Sequence, residues 1–438
     1  GLMDSDAGSI VIRAQHSAHA VATALGAIYL APSARIRSTT GDISIIGTQN
    51  SGNTSTNNQY GVWLGESTAT ASRATVSSTS GDIFISGDSS QSDRNNRRGV
   101  LLFGVNISTG GDVEIFGKAP SRTGVADVLT WAPSSIAADG TTLIEGAGIN
   151  YLESTSIASG TGLTFEVGQL VGTDGLSSAT FTSTALSITG SGPVTIRPDG
   201  ASFTSTQSLD AINFASTVSS LTIGKTGNTA GVTVAGVAKT IAGDITTISG
   251  SLTTSTALTS TSGNVSVTAD SIDLGANLVA SSGVTTIAPQ TADRTITAGT
   301  EVANTLSLTS TELGRITTGT LRLNTDGNVN VTASTNFTGK VTNLAIRAGG
   351  NVTGSAGVVI TVANLGIDAG GTINFPGNQV ASTIALQGST ITYNQIANYA
   401  VATVDGIDPE FGYGVRFAIA SVPVSGTLDG FMAVAFNP

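Results

Sequence analysis

The sequence predicts an all-β protein wound as a parallel β-solenoid of about 20–23 residues per turn. Three observations predict it: the composition, a recurring short phrase, and the spacing of that phrase. The 438 residues hold 55 Gly, 52 Ser and 65 Thr, with 39% hydrophobic and only 11% charged residues. That is too apolar for a disordered chain and too rich in Thr, Val, Ile and Gly for a helical one. Ten prolines and no three-residue glycine register exclude collagen. Length alone would allow two or three domains, but a repeat array buries each apolar face on its neighbour and needs no single large core.

The phrase is a small polar turn, Gly, Asp or Asn, then alternating β-formers. It reads Ser38-Thr39-Thr40-Gly41-Asp42-Ile43, then Ser78-Thr79-Ser80-Gly81-Asp82-Ile83 and Ser108-Thr109-Gly110-Gly111-Asp112-Val113. Later copies are Gly243-Asp244, Gly263-Asn264, Gly283-Val284, Gly327-Asn328, Gly350-Asn351 and Gly371-Thr372. Gly243 to Gly263 and Gly263 to Gly283 are each 20 residues, Gly327 to Gly350 is 23 and Gly350 to Gly371 is 21. Gly41 to Gly81 is 40 and Gly283 to Gly327 is 44, so the spacings read as one or two multiples of the period. Glycine supplies the positive φ expected at a corner, and Asp or Asn bonds its own backbone there. The Ile-x-Ile or Val-x-Val that follows sends every second side chain inward. At about 4.8 Å per turn, the chain would make at most about 20 turns, a rod of roughly 100 Å.

Residues 1–26 read as an entry or cap, with an Ala-rich stretch from Ala18 to Ala27. Residues 27–375 read as the solenoid. Polar stretches at 47–60 and 88–98 read as projecting loops, and 118–175, which loses the phrase and holds Pro120, Trp131 and Pro133, as irregular. Residues 376–438 carry seven aromatics, among them Phe411, Tyr413, Phe417, Phe431 and Phe436, and read as a cap or assembly segment for the open end of a solenoid.

From Val284 the chain reads Val284-Thr285-Thr286-Ile287-Ala288-Pro289, then Arg294-Thr295-Ile296-Thr297-Ala298-Gly299-Thr300 and Leu306-Ser307-Leu308-Thr309. It continues Glu312-Leu313, Arg315-Ile316-Thr317-Thr318-Gly319-Thr320-Leu321-Arg322-Leu323 and Gly327-Asn328-Val329. This block, residues 284–333, resembles the filamentous-haemagglutinin-like large exoproteins, the β-helical adhesins of Gram-negative bacteria. The resemblance implies a right-handed parallel β-helix, exported by an outer-membrane partner and used in adhesion, biofilm or cell contact. The chain lacks the Asn-Pro-Asn-Gly motif of that family's secretion domain and has no Arg-Gly-Asp, so a member of this kind would be a central or carboxy-terminal piece, or use another export route.

A net charge of −11, from 29 acids against 18 bases, argues against a nucleic-acid partner. No run of apolar residues is long enough to span a membrane as a helix. The absence of cysteine fits a secreted bacterial protein.

His16 and His19 make an incomplete zinc pair even with Asp4 and Asp6 nearby. The calcium-roll nonapeptide is absent, and Thr-x-Thr pairs such as Thr295 with Thr297 keep no constant offset from glycine. Asp42, Asp82 and Asp112 sit where turn chemistry explains them and would form a line rather than the opposed carboxylates that glycoside hydrolysis needs. No cofactor and no catalysis are therefore expected. Arg94, Arg97 and Arg98 form the densest basic patch, a candidate contact for an acidic glycan or neighbouring subunit. These features together favour a non-catalytic adhesin stalk or fibre subunit at the bacterial surface, with self-association, a glycan or a cell receptor as partner. The rival is a polysaccharide lyase or hydrolase on the same scaffold.

Overall fold

The computed structural model describes residues 1–16, 25–49, 59–66, 72–91, 97–120, 126–130, 132–172, 184–395 and 399–408. The chain is a parallel β-solenoid, and of the described residues 63% are strand and 1% helix. The first coil comprises β1 (Leu2–Ser5), β2 (Ile10–His16) and β3 (Leu25–Leu30), and the second comprises β4 (Arg35–Ser38), β5 (Ile43–Gln49) and β6 (Gln59–Leu64). β1 lies parallel to β4, β2 to β5 and β3 to β6, and the pattern repeats down the chain. Among the described residues no helix is long and apolar enough to cross a membrane.

One inward column shows how alternation becomes a core. It runs in direct register through Ile10, Ile43, Ile83, Val113, Thr142, Leu163, Val194, Leu221, Ile245, Val265, Thr285, Leu321, Leu344, Leu365, Ile384 and Val401. All but Val401 are buried. Sixteen layers at about 4.8 Å give an axis of roughly 70 Å, shorter than the upper limit set by length. A second column, two residues on, passes through Ile45, Ile85, Ile115, Ile144, Phe165, Ile196 and Ile223. β-branched side chains suit such stacking because their single preferred rotamer repeats from layer to layer.

Three threonines interrupt these columns. The Oγ1 atoms of Thr142, Thr247 and Thr285 are buried without a hydrogen-bond partner. Valine has the same shape and removes the uncompensated hydroxyl, so each Thr→Val change should raise stability by about 1 kcal/mol. Urea midpoints of the three single variants and the triple variant measure this.

Several sequence expectations are corrected. Ile43 pairs directly with Ile83, so the 40-residue spacing from Gly41 to Gly81 is one coil, not two. Residues 1–26 are not only an entry: β1 and β2 form part of a full coil. The stretch 118–175 is not irregular, since Ala126–Thr130, Ser134–Ala138, Thr141–Leu152, Thr155–Ser159 and Gly162–Val171 are strands in register with their neighbours. A coil needs inward apolar residues, and Ile144, Leu163 and Phe165 supply them where the corner aspartate is missing. The coil also continues past residue 375, through Thr372–Gln387 and Thr390–Gln395 to Ala400–Val401.

The corner glycines do not adopt positive φ. They are small because the coils touch there. A Cβ on Gly81 would come closer than 3.0 Å to the backbone of Gly41 and Asp42, and one on Gly350 would meet Asn328 Oδ1.

Candidate functional site

The phrase builds two corner columns rather than one. Gly41, Gly81, Gly111, Gly243, Gly263 and Gly283 precede strands of a single column, whose continuation is Leu321 and Leu344. Gly327 and Gly350 instead precede Val329 and Val352, which pair with Ile296 and Ile373 on a different sheet. The switch falls in the insertion that holds Ile296–Gly299, Leu306–Thr309 and the one-turn helix α1 (Ser310–Leu313).

At both corners the acid or amide reaches along the axis rather than to its own backbone. The Asp82 N–H donates to Asp42 Oδ1 (2.9 Å), the Asp112 N–H to Asp82 Oδ1 (2.8 Å) and the Thr141 N–H to Asp112 Oδ1 (2.6 Å). The Asn264 N–H donates to Asp244 Oδ1 (2.7 Å) and the Val284 N–H to Asn264 Oδ1 (2.8 Å). In the second column Asn351 donates to Asn328 Oδ1 (2.7 Å) and Thr372 to Asn351 Oδ1 (2.8 Å). Stacking places the next coil's N–H within reach of each side-chain oxygen. A hydroxyl completes the joint: Ser78 Oγ accepts from the Gly81 N–H (2.9 Å) and donates to the Gly41 carbonyl (3.0 Å), and Ser260 does the same between Gly263 and Gly243. The recurrent acids are thus structural bonds between coils.

Among the other candidate residues, Arg97 is fully buried at the start of Arg97–Leu102, in register with the buried Gln59, so it is not an exposed contact. Arg98 is half-buried. Arg94, His19, Phe411, Tyr413, Phe417, Phe431 and Phe436 lie outside the described residues. Among the described residues no three His, Cys, Asp or Glu side chains gather into a metal site.

The arrangement that sequence reading missed is an outward column on the opposite side of the strands from the core. Glu145, Glu166 and Arg197 are consecutive in register, and Arg197 Nε donates to Glu166 Oε2 at 3.0 Å. Glu145 is held above its ordinary carboxyl pKa, first by partial burial and then by Glu166, Asp199 and Glu114, with Arg197 opposing. The signal was available, because Glu145 and Glu166 are 21 residues apart, one coil. Chemically the column holds one carboxyl of raised pKa beside a guanidinium-bound carboxylate. The two lie side by side along one sheet, about 4.8 Å apart, not facing each other across a scissile bond.

Near the far end, Val404 and Ile407 exchange backbone hydrogen bonds (3.0 and 2.9 Å) around Asp405 and Gly406, both with positive φ. This turn packs Val404 and Ile407 on Ala345 and Ala385, outside the main core. Arg322 grips Asp405 through two hydrogen bonds (2.6 and 2.7 Å), and Arg347 Nη2 donates to the Asp405 carbonyl (2.6 Å). Beside it, a polar groove of about 520 Å³ runs between residues 288–292, 324–326, 347–349 and Asp368. Arg347 is the cation of this groove, and Asp368 lies 3.9 Å from it.

Lys239 occupies an inward column with Leu258 and Leu278, 1% exposed, its Nζ donating to the Ile212 carbonyl at 2.7 Å. Burial pushes its pKa down from 10.5 to about 8, with Asp210 opposing. Between those values the unfolded chain binds the extra proton, so this residue makes stability rise with pH across the window and holds it lowest below about 8. Denaturation midpoints should therefore show the gap between Lys239→Met and the parent chain closing in the parent's favour as pH rises from about 8 to 10.5.

No family model, curated protein or solved structure matches this chain.

Proposed function

We propose that this chain is a non-catalytic, extracellular structural and adhesive β-helix: an adhesin stalk, or the subunit of a surface fibre, on a Gram-negative bacterium. The observation that carries the reading is the sixteen-layer column from Ile10 to Val401, one continuous core along an axis of roughly 70 Å. A rod of this kind transmits force and holds its surface away from the cell. The acids most suspect as catalysts are committed to bonds between coils, which supports the same reading. The outward Thr and Ser rows offer hydroxyls to a glycan or a cell receptor, and the resemblance of residues 284–333 to secreted adhesins supports the location.

One observation favours a second reading, a polysaccharide lyase or hydrolase. Glu145, its pKa raised first by partial burial and then by neighbouring acids, stands in register beside Glu166 and next but one to Arg197. Incubation with a panel of acidic polysaccharides separates the two. The structural reading expects no reducing or unsaturated ends; turnover that Glu145→Gln abolishes would reject it.

A further inference from the structure

The groove beside the Asp405 turn has a floor built by the coil itself. Asn324, Arg347 and Asp368 form an outward row in three successive coils, in direct register, and alternate with the buried Leu323, Ile346 and Ile367. One wall is the stretch 288–292, where the chain leaves its strand at Ala288, and the other is the corner at 325–326 and 348–349. The walls are fixed by bonds of their own. Asp270 Oδ1 accepts from the Gln290 N–H (3.0 Å) and the Thr291 N–H (2.8 Å). Thr325 Oγ1 accepts from the Gly327 N–H (3.0 Å) and donates to the Arg294 carbonyl (2.6 Å), which ties the corner to the chain that follows the first wall. The Asp405 carbonyl holds Arg347 from outside the groove.

Hydrogen-bonding capacity in this groove is unfilled. Arg347 Nη1 and Asp368 Oδ2 stand 3.9 Å apart, too far for a hydrogen bond, on side chains 34% and 38% exposed. Gln290 Oε1 and Asn324 Oδ1, both on lining residues, are buried acceptors with no partner. The last torsion of an amide side chain is soft, so each can swing to a donor in the groove. Asp326 and Asp368 line the groove against a single guanidinium, which Asp405 already offsets at 3.7 Å, so the lining disfavours an anion. Among the described residues no three metal-ligating side chains gather to cage a cation. The strands beneath are paired on both sides and offer no edge to an extended peptide.

We infer that this groove binds a neutral saccharide; the inference deepens the adhesive reading above and rests on it. A sugar hydroxyl both accepts and donates, so one hydroxyl can accept from Arg347 Nη1 and donate to Asp368 Oδ2 across the gap. Its neighbours on the ring supply the donors that Asn324 Oδ1 and Gln290 Oε1 lack. Ala288, Pro289 and Ala292 give the C–H face of the ring an apolar wall. The volume of about 520 Å³ lies within the roughly 300–1,000 Å³ of small-molecule sites.

Saturation-transfer NMR titrations of the full chain test the site, with cellobiose, maltose, lactose and N,N′-diacetylchitobiose as neutral probes and the disaccharides of hyaluronan and heparin as anionic ones. The parent should bind at least one neutral probe and neither anionic one. Asp368→Ala should weaken that binding about tenfold or more and Asn324→Ala about threefold, the losses expected for a charged and a neutral acceptor. Ala288→Phe, which fills the groove from its wall, should abolish it. Urea midpoints of the Asp368 and Asn324 variants should stay at the parent's value, because Asp368 makes only a long, partly exposed ion pair. Neutral binding that survives all three substitutions would overturn the groove and leave the adhesive reading standing, as would a parent that binds only the anionic probes. A parent that binds no sugar would overturn the groove and strike glycans from the adhesive reading.

Discussion

Valine at Gly263 should lower stability by about 3 kcal/mol or more, a large share of the net stability of a folded domain. The added Cβ would lie closer than 3.0 Å to the Gly243 carbonyl carbon, Asp244 N and Asp244 Oδ1. These atoms cannot retreat, because the Asn264–Asp244 bond and the Ser260 bridge clamp the same two coils. Relief requires the coils to part, which breaks both bonds and the ladder on either side. In a one-dimensional array each layer holds only its neighbours, so one broken interface should also split the unfolding into two transitions. Gly200 is the control: a Cβ there meets nothing within 4 Å and its φ is ordinary, so Gly200→Val should be near neutral. Differential scanning calorimetry of the two variants reads both effects. Equal melting would mean that the coils are not in contact at the glycine corner.

Phe165→Ala should lose about 3–5 kcal/mol. The ring is fully buried between Ile144 and Ile196, the largest member of its column in that part of the rod. Neighbouring layers are fixed by their own ladders and cannot collapse into the space. The damage should also stay local: amide exchange should accelerate across Thr141–Leu152, Gly162–Val171 and Val194–Pro198 and remain unchanged in Ile360–Ala369, eight layers away. Uniform acceleration along the chain would contradict a layered fold.

The parallel coil was legible in the sequence because its two requirements are local. Alternation fixes which side chains face inward, and Gly-Asp or Gly-Asn marks where adjacent coils touch. The physical role of those residues was less legible. Close approach of stacked backbones, not positive φ, demands glycine at 81 and 263, and the aspartate bonds the following coil rather than its own turn. Neither fact can be read from a single turn. The 40-residue coil from Gly41 to Gly81 was misread because intervening loop length leaves strand register untouched. The change of corner at Gly327 was hidden because the phrase has the same chemistry on either sheet. Arg97 looked like a surface charge in a basic run, but the strand that begins there turns it inward beside Gln59. Glu145 and Glu166 could have been paired from their one-coil spacing, since outward residues of adjacent coils are as close as inward ones.

Register between layers is measured most directly by electron-electron distances along one outward column, and the absence of native cysteine makes labelling clean. Glu114, Leu143, Thr164, Thr195, Thr222, Thr246, Ser266 and Thr286 follow one another in that column. Nitroxides on cysteines replacing Glu114 and Thr246, five layers apart, should lie about 24 Å from each other, and on Glu114 and Thr286, seven layers apart, about 34 Å. A constant increment of about 4.8 Å per layer is the predicted result. Distances that do not grow with layer number, or that place Thr286 nearer to Glu114 than Thr246 is, would contradict the stacked coil.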